Sequence, residues 1–166
     1  MKRSDLSLLV SRAHSTQRSV LSVYLNVDQS RQANLSRGFE SQFKKLASVA
    51  RGTLVDVADR ERFAAALHHV QDFITAYSPA SKALVLFFDT TDGFFWHADL
   101  EFPVTDHVRW DRELLLQPLA SAADQLEARR IFPYNTRTDL EFSTIMRTLH
   151  DCTYAAASVA WHAGSG

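Results

Sequence analysis

Residues 83–88, Ala83-Leu84-Val85-Leu86-Phe87-Phe88, are apolar on both alternations of a strand. Successive strand side chains point to opposite faces, so a run without a polar position needs cover on two sides. This suits a central strand between layers. Asp92-Gly93 follows as a tight-turn dipeptide, and then Phe94 to Phe102 alternates. Phe94, Trp96, Ala98, Leu100 and Phe102 fall on one face, and Phe95, His97, Asp99 and Glu101 on the other. The pattern predicts a β-hairpin at about 82–102 with its first face packed on helices and its second in water, ended by Pro103.

The hairpin needs partners, and the upstream sequence supplies them. Residues 19–28 alternate, with Leu21, Val23, Leu25 and Val27 on an aliphatic face and Ser22, Tyr24 and Asn26 on a more polar one. Leu35, Phe39, Phe43, Leu46, Ala47, Ala50 and Leu54 recur at helical spacing, as do Phe63, Leu67, Val70, Ile74 and Tyr77, which Pro79 closes. Between strand and helix, residues 29–37 carry neither period and read as a mobile loop. A short helix over 5–13, a short strand over 106–110, a helix over 113–130 containing Pro118, a turn at Phe132-Pro133 and a last helix from 139 to about 151 complete the reading. The last helix starts at the capping-box pair Thr138 and Glu141. The expected class is α/β (α+β), a mixed sheet packed against amphipathic helices. Residues 1–166 read as one domain, with an N-terminal helix and lead-in over 1–18 and a divergent helical tail over 120–166 as a candidate to complete the core.

At 166 residues and 46% hydrophobic content the chain can bury a core without disulfides. Its lone thiol, Cys152, has no internal partner and fits a reducing, cytoplasmic setting. No run approaches the ~20 apolar residues of a membrane span, and the N-terminal apolar run Leu8-Leu9-Val10 is short for a signal peptide. The net charge of −1 conceals an asymmetry, because residues 1–55 hold nine basic and three acidic side chains, a local +6. A basic first third can follow a phosphate backbone.

Four constellations invite chemistry. Asp28 and Asp89 sit at strand ends, where paired carboxylates can hold a divalent metal for hydrolysis, with His97 as a further ligand. The Asp89-Thr90-Thr91-Asp92-Gly93 segment also reads as a turn, since Asp, Thr and Gly bend and satisfy turns. His97, Asp99 and Glu101 share a strand face at ~6.8 Å intervals, and His68 and Asp72 have i,i+4 spacing; both sets also read as solvated faces. His150-Asp151-Cys152 are adjacent on a predicted helix and therefore point apart. No Gly-rich phosphate loop, HExxH, CxxC pair or GxSxG is present, so no cofactor is expected.

Val20 to Asp28, the basic helix after it, Ala83 to Asp89 with Gly93-Phe94-Phe95, and Gln117-Pro118-Leu119 together resemble a known opening. It is similar to the N-terminal domain of the bacterial relatives of archaeal and eukaryotic peptide-chain release factors, a group that also resembles the Pelota rescue factors. The likeness spans residues 19–119 and implies an α/β domain placed at or near the ribosomal decoding site in termination, rescue or hibernation. Two departures stand out: the Gly-Gly-Gln tripeptide of release-active members and the Asn-Ile-Lys-Ser tetrapeptide linked to stop-codon reading are both absent. The resemblance thus implies a domain that does not itself release peptide, and this chain ends well short of a three-domain factor.

Charge and resemblance converge on one expectation, a non-catalytic domain that binds the ribosome or structured RNA. Arg31, Arg37, Lys44, Lys45 and Arg51 are the expected phosphate contacts, and Tyr24 or Trp96 are candidates to stack on a base. Two other classes stay open at this point: a small metal-dependent hydrolase using Asp28, Asp89 and His97, and a protein-interaction or oligomerisation domain with an aromatic patch around Phe94, Phe95 and Trp96.

Overall fold

The computed structural model describes residues 8–9, 11–12, 19–119 and 121. The chain divides into two compact units, one of residues 15–115 and one combining 1–14 with 116–166. In the second unit, residues 8, 9, 11 and 12 are helical and the chain turns helical again at Gln117, which leaves Pro118 in a first turn where its missing N–H costs nothing. Residues 113–116 are not helical, so the expected start at Glu113 moves to Gln117. The turn at Phe132, the helix from 139, and His150-Asp151-Cys152 lie outside the described residues, as does any part that 120–166 play in the core.

The first unit is built from β1 (Val20–Asn26), α1 (Gln32–Leu35), α2 (Gly38–Gly52), α3 (Val57–Ala76), β2 (Ala83–Asp89), β3 (Phe94–Leu100) and β4 (His107–Asp111). The strands form one sheet in the order β3-β2-β1-β4. It is an α/β fold, and each ladder is antiparallel where a mixed sheet was expected. The cause is the helix count between β1 and β2. A single helix would carry the chain back to start a parallel strand, whereas the antiparallel pair α2 and α3 returns it to the end of the sheet where β1 finished.

Strand register fixes which side chains meet the helices. Leu21 pairs with Phe88, Val23 with Leu86 and Leu25 with Leu84, all on one face. There they join Phe39 and Phe43 of α2 and Phe63, Ala66, Val70 and Ile74 of α3 in one buried cluster. Each fully buried Phe or Leu contributes ~1.5–3 kcal/mol, which outweighs the small intrinsic preferences of these segments. Asp56 starts α3 by accepting the Asp59 backbone N–H at 3.0 Å, and the helix stops at Ala76, three residues before Pro79. Gly93 turns the hairpin at φ 71, a conformation that an L side chain resists.

The other face of β1 is also dry. Val20, Ser22 and Tyr24 are at most 1% exposed, and Val85 and Phe87 are fully buried. Tyr24 tolerates this because its hydroxyl donates to the Leu115 carbonyl, and the Ser22 hydroxyl accepts the Leu115 N–H at 3.1 Å. The polar stripe read in the sequence is therefore interior, with each hydroxyl satisfied by backbone.

Strand β3 turns opposite to expectation. Pairing Phe95 with Phe88 and His97 with Leu86 puts Phe95, His97 and Asp99 on the helix-covered face. Phe94, Trp96 and Ala98 take the other side. Phe95 packs on Phe73 of α3 at 5.1 Å between ring centroids, and His97 on the same ring at 4.6 Å.

Candidate nucleic-acid interface

The chain leaving β1 is fastened rather than mobile. Asn34, only 6% exposed, turns inward. Its side-chain amide donates to the backbone carbonyls of Asn26 and Asp28, at 3.1 Å each. Asp28 closes the turn by accepting the Ser30 N–H at 2.9 Å. That backbone bond, with the Ser30 side chain second, holds the Asp28 carboxyl below its ordinary range, and Lys82 and Arg31 add attraction. Gly38 is required where α1 meets α2, because a Cβ there would overlap the Ala33 carbonyl oxygen.

The five expected phosphate contacts divide in two. Arg37 is engaged within the fold: its guanidinium donates to the carbonyls of Tyr77 at 3.1 Å, Ile74 at 2.9 Å and Thr75 at 3.0 Å, and its Nε to Glu40. It also lies 5.0 Å from the centre of the Phe39 ring. Arg31, Lys44, Lys45 and Arg51 are exposed and form no ion pair among the described residues. Burial of Phe39, Phe43 and Ala47 at i, i+4 and i+8 turns the opposite side of α2 to solvent. Lys44 and Arg51, seven residues apart, share a stripe on the flank of that exposed side, with Lys45 ~100° further around the axis, nearly opposite Phe43. From Lys44 to Arg51 the helix rises ~10 Å, so these cations are spread along the exposed part of α2 rather than gathered at a point.

Sequence reasoning missed Lys82. It is exposed, and its backbone carbonyl accepts the Val27 N–H at 3.0 Å, which brings it to the end of the sheet where Asp28 and Arg31 lie. No local pattern marks it, because only the β1–β2 register joins these distant segments.

The metal reading fails on topology. Asp89 pairs with Val20, at the start of β1, while Asp28 lies beyond Asn26 at its end. At ~3.4 Å per residue the two carboxylates are ~20 Å or more apart, and one ion cannot bridge that. Each is a turn residue instead, Asp89 accepting the Thr91 N–H at 2.9 Å. His97 sits on edge strand β3, against Phe73. No group of three or more His, Cys, Asp or Glu that could hold a metal occurs among the described residues. Asp99 accepts the Tyr77 hydroxyl, and burial first, then this hydrogen bond, raise the Tyr77 phenol above its ordinary value. His68 and Asp72 lie 3.6 Å apart on an exposed face of α3.

Tyr24 is fully buried and cannot stack on a base. Burial also pushes its phenol well above the ordinary value. Trp96 stacks on Phe87 at 5.6 Å. Phe94, Phe95 and Trp96 are half-buried, so the expected aromatic patch is largely internal. Among the described residues, the large exposed apolar side chains are instead Leu8, Leu35, Val49, Val55 and Val57.

No family model matches the sequence, and no curated protein matches it. Among solved structures, an "Archaeal protein" is similar with a TM-score of 0.49 and 17% identity, covering 76% of this chain and 36% of its own. This chain thus spans about a third of that protein's length, and a likeness at that level carries no information about activity. No helix among the described residues is long and apolar enough to cross a membrane.

Proposed function

We propose that this is a non-catalytic, release-factor-like domain that binds the ribosome or structured RNA, in a cytoplasmic setting, through the outer side of α2 and the turn before it. One observation carries the reading. Arg31, Lys44, Lys45 and Arg51 face solvent and form no ion pair among the described residues, Arg31 having only the nearby Asp28 charge, whereas Arg37, Arg62 and Arg109 are each paired within the fold. Exposed cations free of ion pairs and spread over one region suit the repeating charge of a nucleic-acid backbone, and each neutralised phosphate steepens the salt dependence by about 0.7–0.9 in log–log slope. The resemblance of residues 19–119 to release-factor N-terminal domains supplies the class of partner, and the missing Gly-Gly-Gln agrees with binding without hydrolysis.

Cosedimentation of the full chain with ribosomes across a salt series tests this. The expected result is binding at low salt that is lost at high salt and weakened by Lys44→Glu combined with Lys45→Glu. No pelleting at low salt, or pelleting indifferent to that double substitution, overturns it.

A further inference from the structure

We propose that Arg37 is a positioning residue rather than a phosphate contact: its guanidinium locks the α1 turn, and with it Arg31, against the C-terminal end of α3. The inference rests on the polyanion-binding reading above and identifies which of its residues meet the partner directly.

The last carbonyls of a helix lack intrahelical partners and carry partial negative charge. Here the Tyr77 N–H reaches the Ile74 carbonyl at 3.3 Å, and a cation from another element adds to that bond and engages the carbonyls of Thr75 and of the cap residue Tyr77. Of the five guanidinium N–H groups, four are engaged, one by Glu40 and three by carbonyls of Ile74, Thr75 and Tyr77. Arg37 also has φ 57 and ψ 36, the one non-glycine residue with positive φ among the described residues. That left-handed turn joins α1 to α2, immediately before the close approach of Gly38 to Ala33. The segment is held at both ends. Asn34 ties α1 to the end of β1 through the Asn26 and Asp28 carbonyls, and Arg37 ties it to α3.

Arg31 stands just before α1, its own N–H bonded to the Asp28 carbonyl at 3.1 Å. Its direction depends on the turn that Asn34 and Arg37 fix. Lys44, Lys45 and Arg51 instead ride on α2, which Phe39, Phe43 and Ala47 seat on the core. Loss of the lock therefore affects the contribution of Arg31 and spares that of Lys44.

A salt series of ribosome binding with single and double variants reads this out, at a temperature where circular dichroism shows every variant folded. Arg31→Ala is expected to flatten the salt slope by about 0.7–0.9 in the wild-type background and to change nothing once Arg37→Ala is present. Lys44→Ala is expected to flatten it equally in both. Arg37→Lys keeps the charge and loses the fork, so it is expected to behave like Arg37→Ala. Wild-type binding by Arg37→Lys, or full additivity of Arg31→Ala with Arg37→Ala, overturns the proposal.

Amide exchange without any partner tests the lock separately. Arg37→Ala is expected to lower protection of the Asn34 and Tyr77 amides ~10-fold, the change that follows from losing hydrogen bonds to a charged group. Unchanged protection overturns the lock. If the wild-type chain does not bind ribosomes, the polyanion reading fails, while this arm still decides whether Arg37 fastens the turn.

Discussion

The two faces of the central strands β1 and β2 are both dry, yet only one of them carries polar anchors as well as apolar cover. On the helix side, Leu21, Val23, Leu25, Leu84 and Leu86 meet Phe43, Phe63, Val70 and Ile74, an interface without a buried polar side chain. On the other side, Ser22 and Tyr24 sit at 1% and 0% exposure and are anchored to the backbone of Leu115. Apolar cover is tolerant of small shifts, because dispersion and water exclusion are non-directional. A hydroxyl bonded to one carbonyl specifies where that segment lies, since a misplaced partner leaves a buried polar group unsatisfied. Both faces thus share apolar burial, and the hydroxyls of the second also fix the path of the chain after β4.

Three substitutions test that division, from the largest expected effect to the smallest. Phe43→Ala on the helix face should cost ~3–5 kcal/mol in denaturant unfolding through lost burial and the cavity left behind. Tyr24→Phe keeps the ring and removes only the hydroxyl, so it should cost ~1–3 kcal/mol by stranding the Leu115 carbonyl. An equal cost for the two would erase the distinction between the faces.

The same variant carries a pH signature. Burial raises the Tyr24 phenol in the folded state, so its contribution is fully present below the unfolded value near pH ~10 and is lost as the pH climbs above it. Thermal melts between pH 8 and 11 should therefore show wild-type stability falling at the alkaline end and Tyr24→Phe falling less, with Tyr77 accounting for part of the remainder. Parallel curves would show that Tyr24 is not ionisation-sensitive. Ser22→Ala should have the smallest effect, ~1 kcal/mol, because it removes one acceptor from the Leu115 N–H. A larger loss would assign that hydroxyl more than one bond.

Periodicity made the helix-side face of the fold legible: Leu21, Val23, Leu25, Phe39, Phe43, Phe63, Val70 and Ile74 all lie where their spacing places them. The orientation of β3 was not legible. Both of its alternations carry an aromatic residue, and only pairing of Phe95 with Phe88 decides which one meets α3. The loop over residues 29–37 reads as mobile because the bonds of Asn34 and Arg37 have no period. The carbonyl partners of Arg37 lie 37 to 40 residues away in sequence. For the candidate interface, Lys44, Lys45 and Arg51 follow from the polar side of an amphipathic helix, whereas Lys82 depends on strand register. Asp28 and Asp89 were legible as strand-end carboxylates, but the distance between them needed the direction of β2.

The central position of β1 sets a schedule for folding. Both neighbours of β1 lie far downstream, Val20 meeting Asp89 on one side and Asp111 on the other. Chain elongation at ~5–20 residues per second leaves the strand without its first partner for ~3–14 s during synthesis, far longer than the ~1–10 μs in which the β2–β3 hairpin can close. Seven residues that end as the best-shielded strand thus begin as the segment most in need of protection from aggregation, and β2 must complete before β1 has anywhere to go.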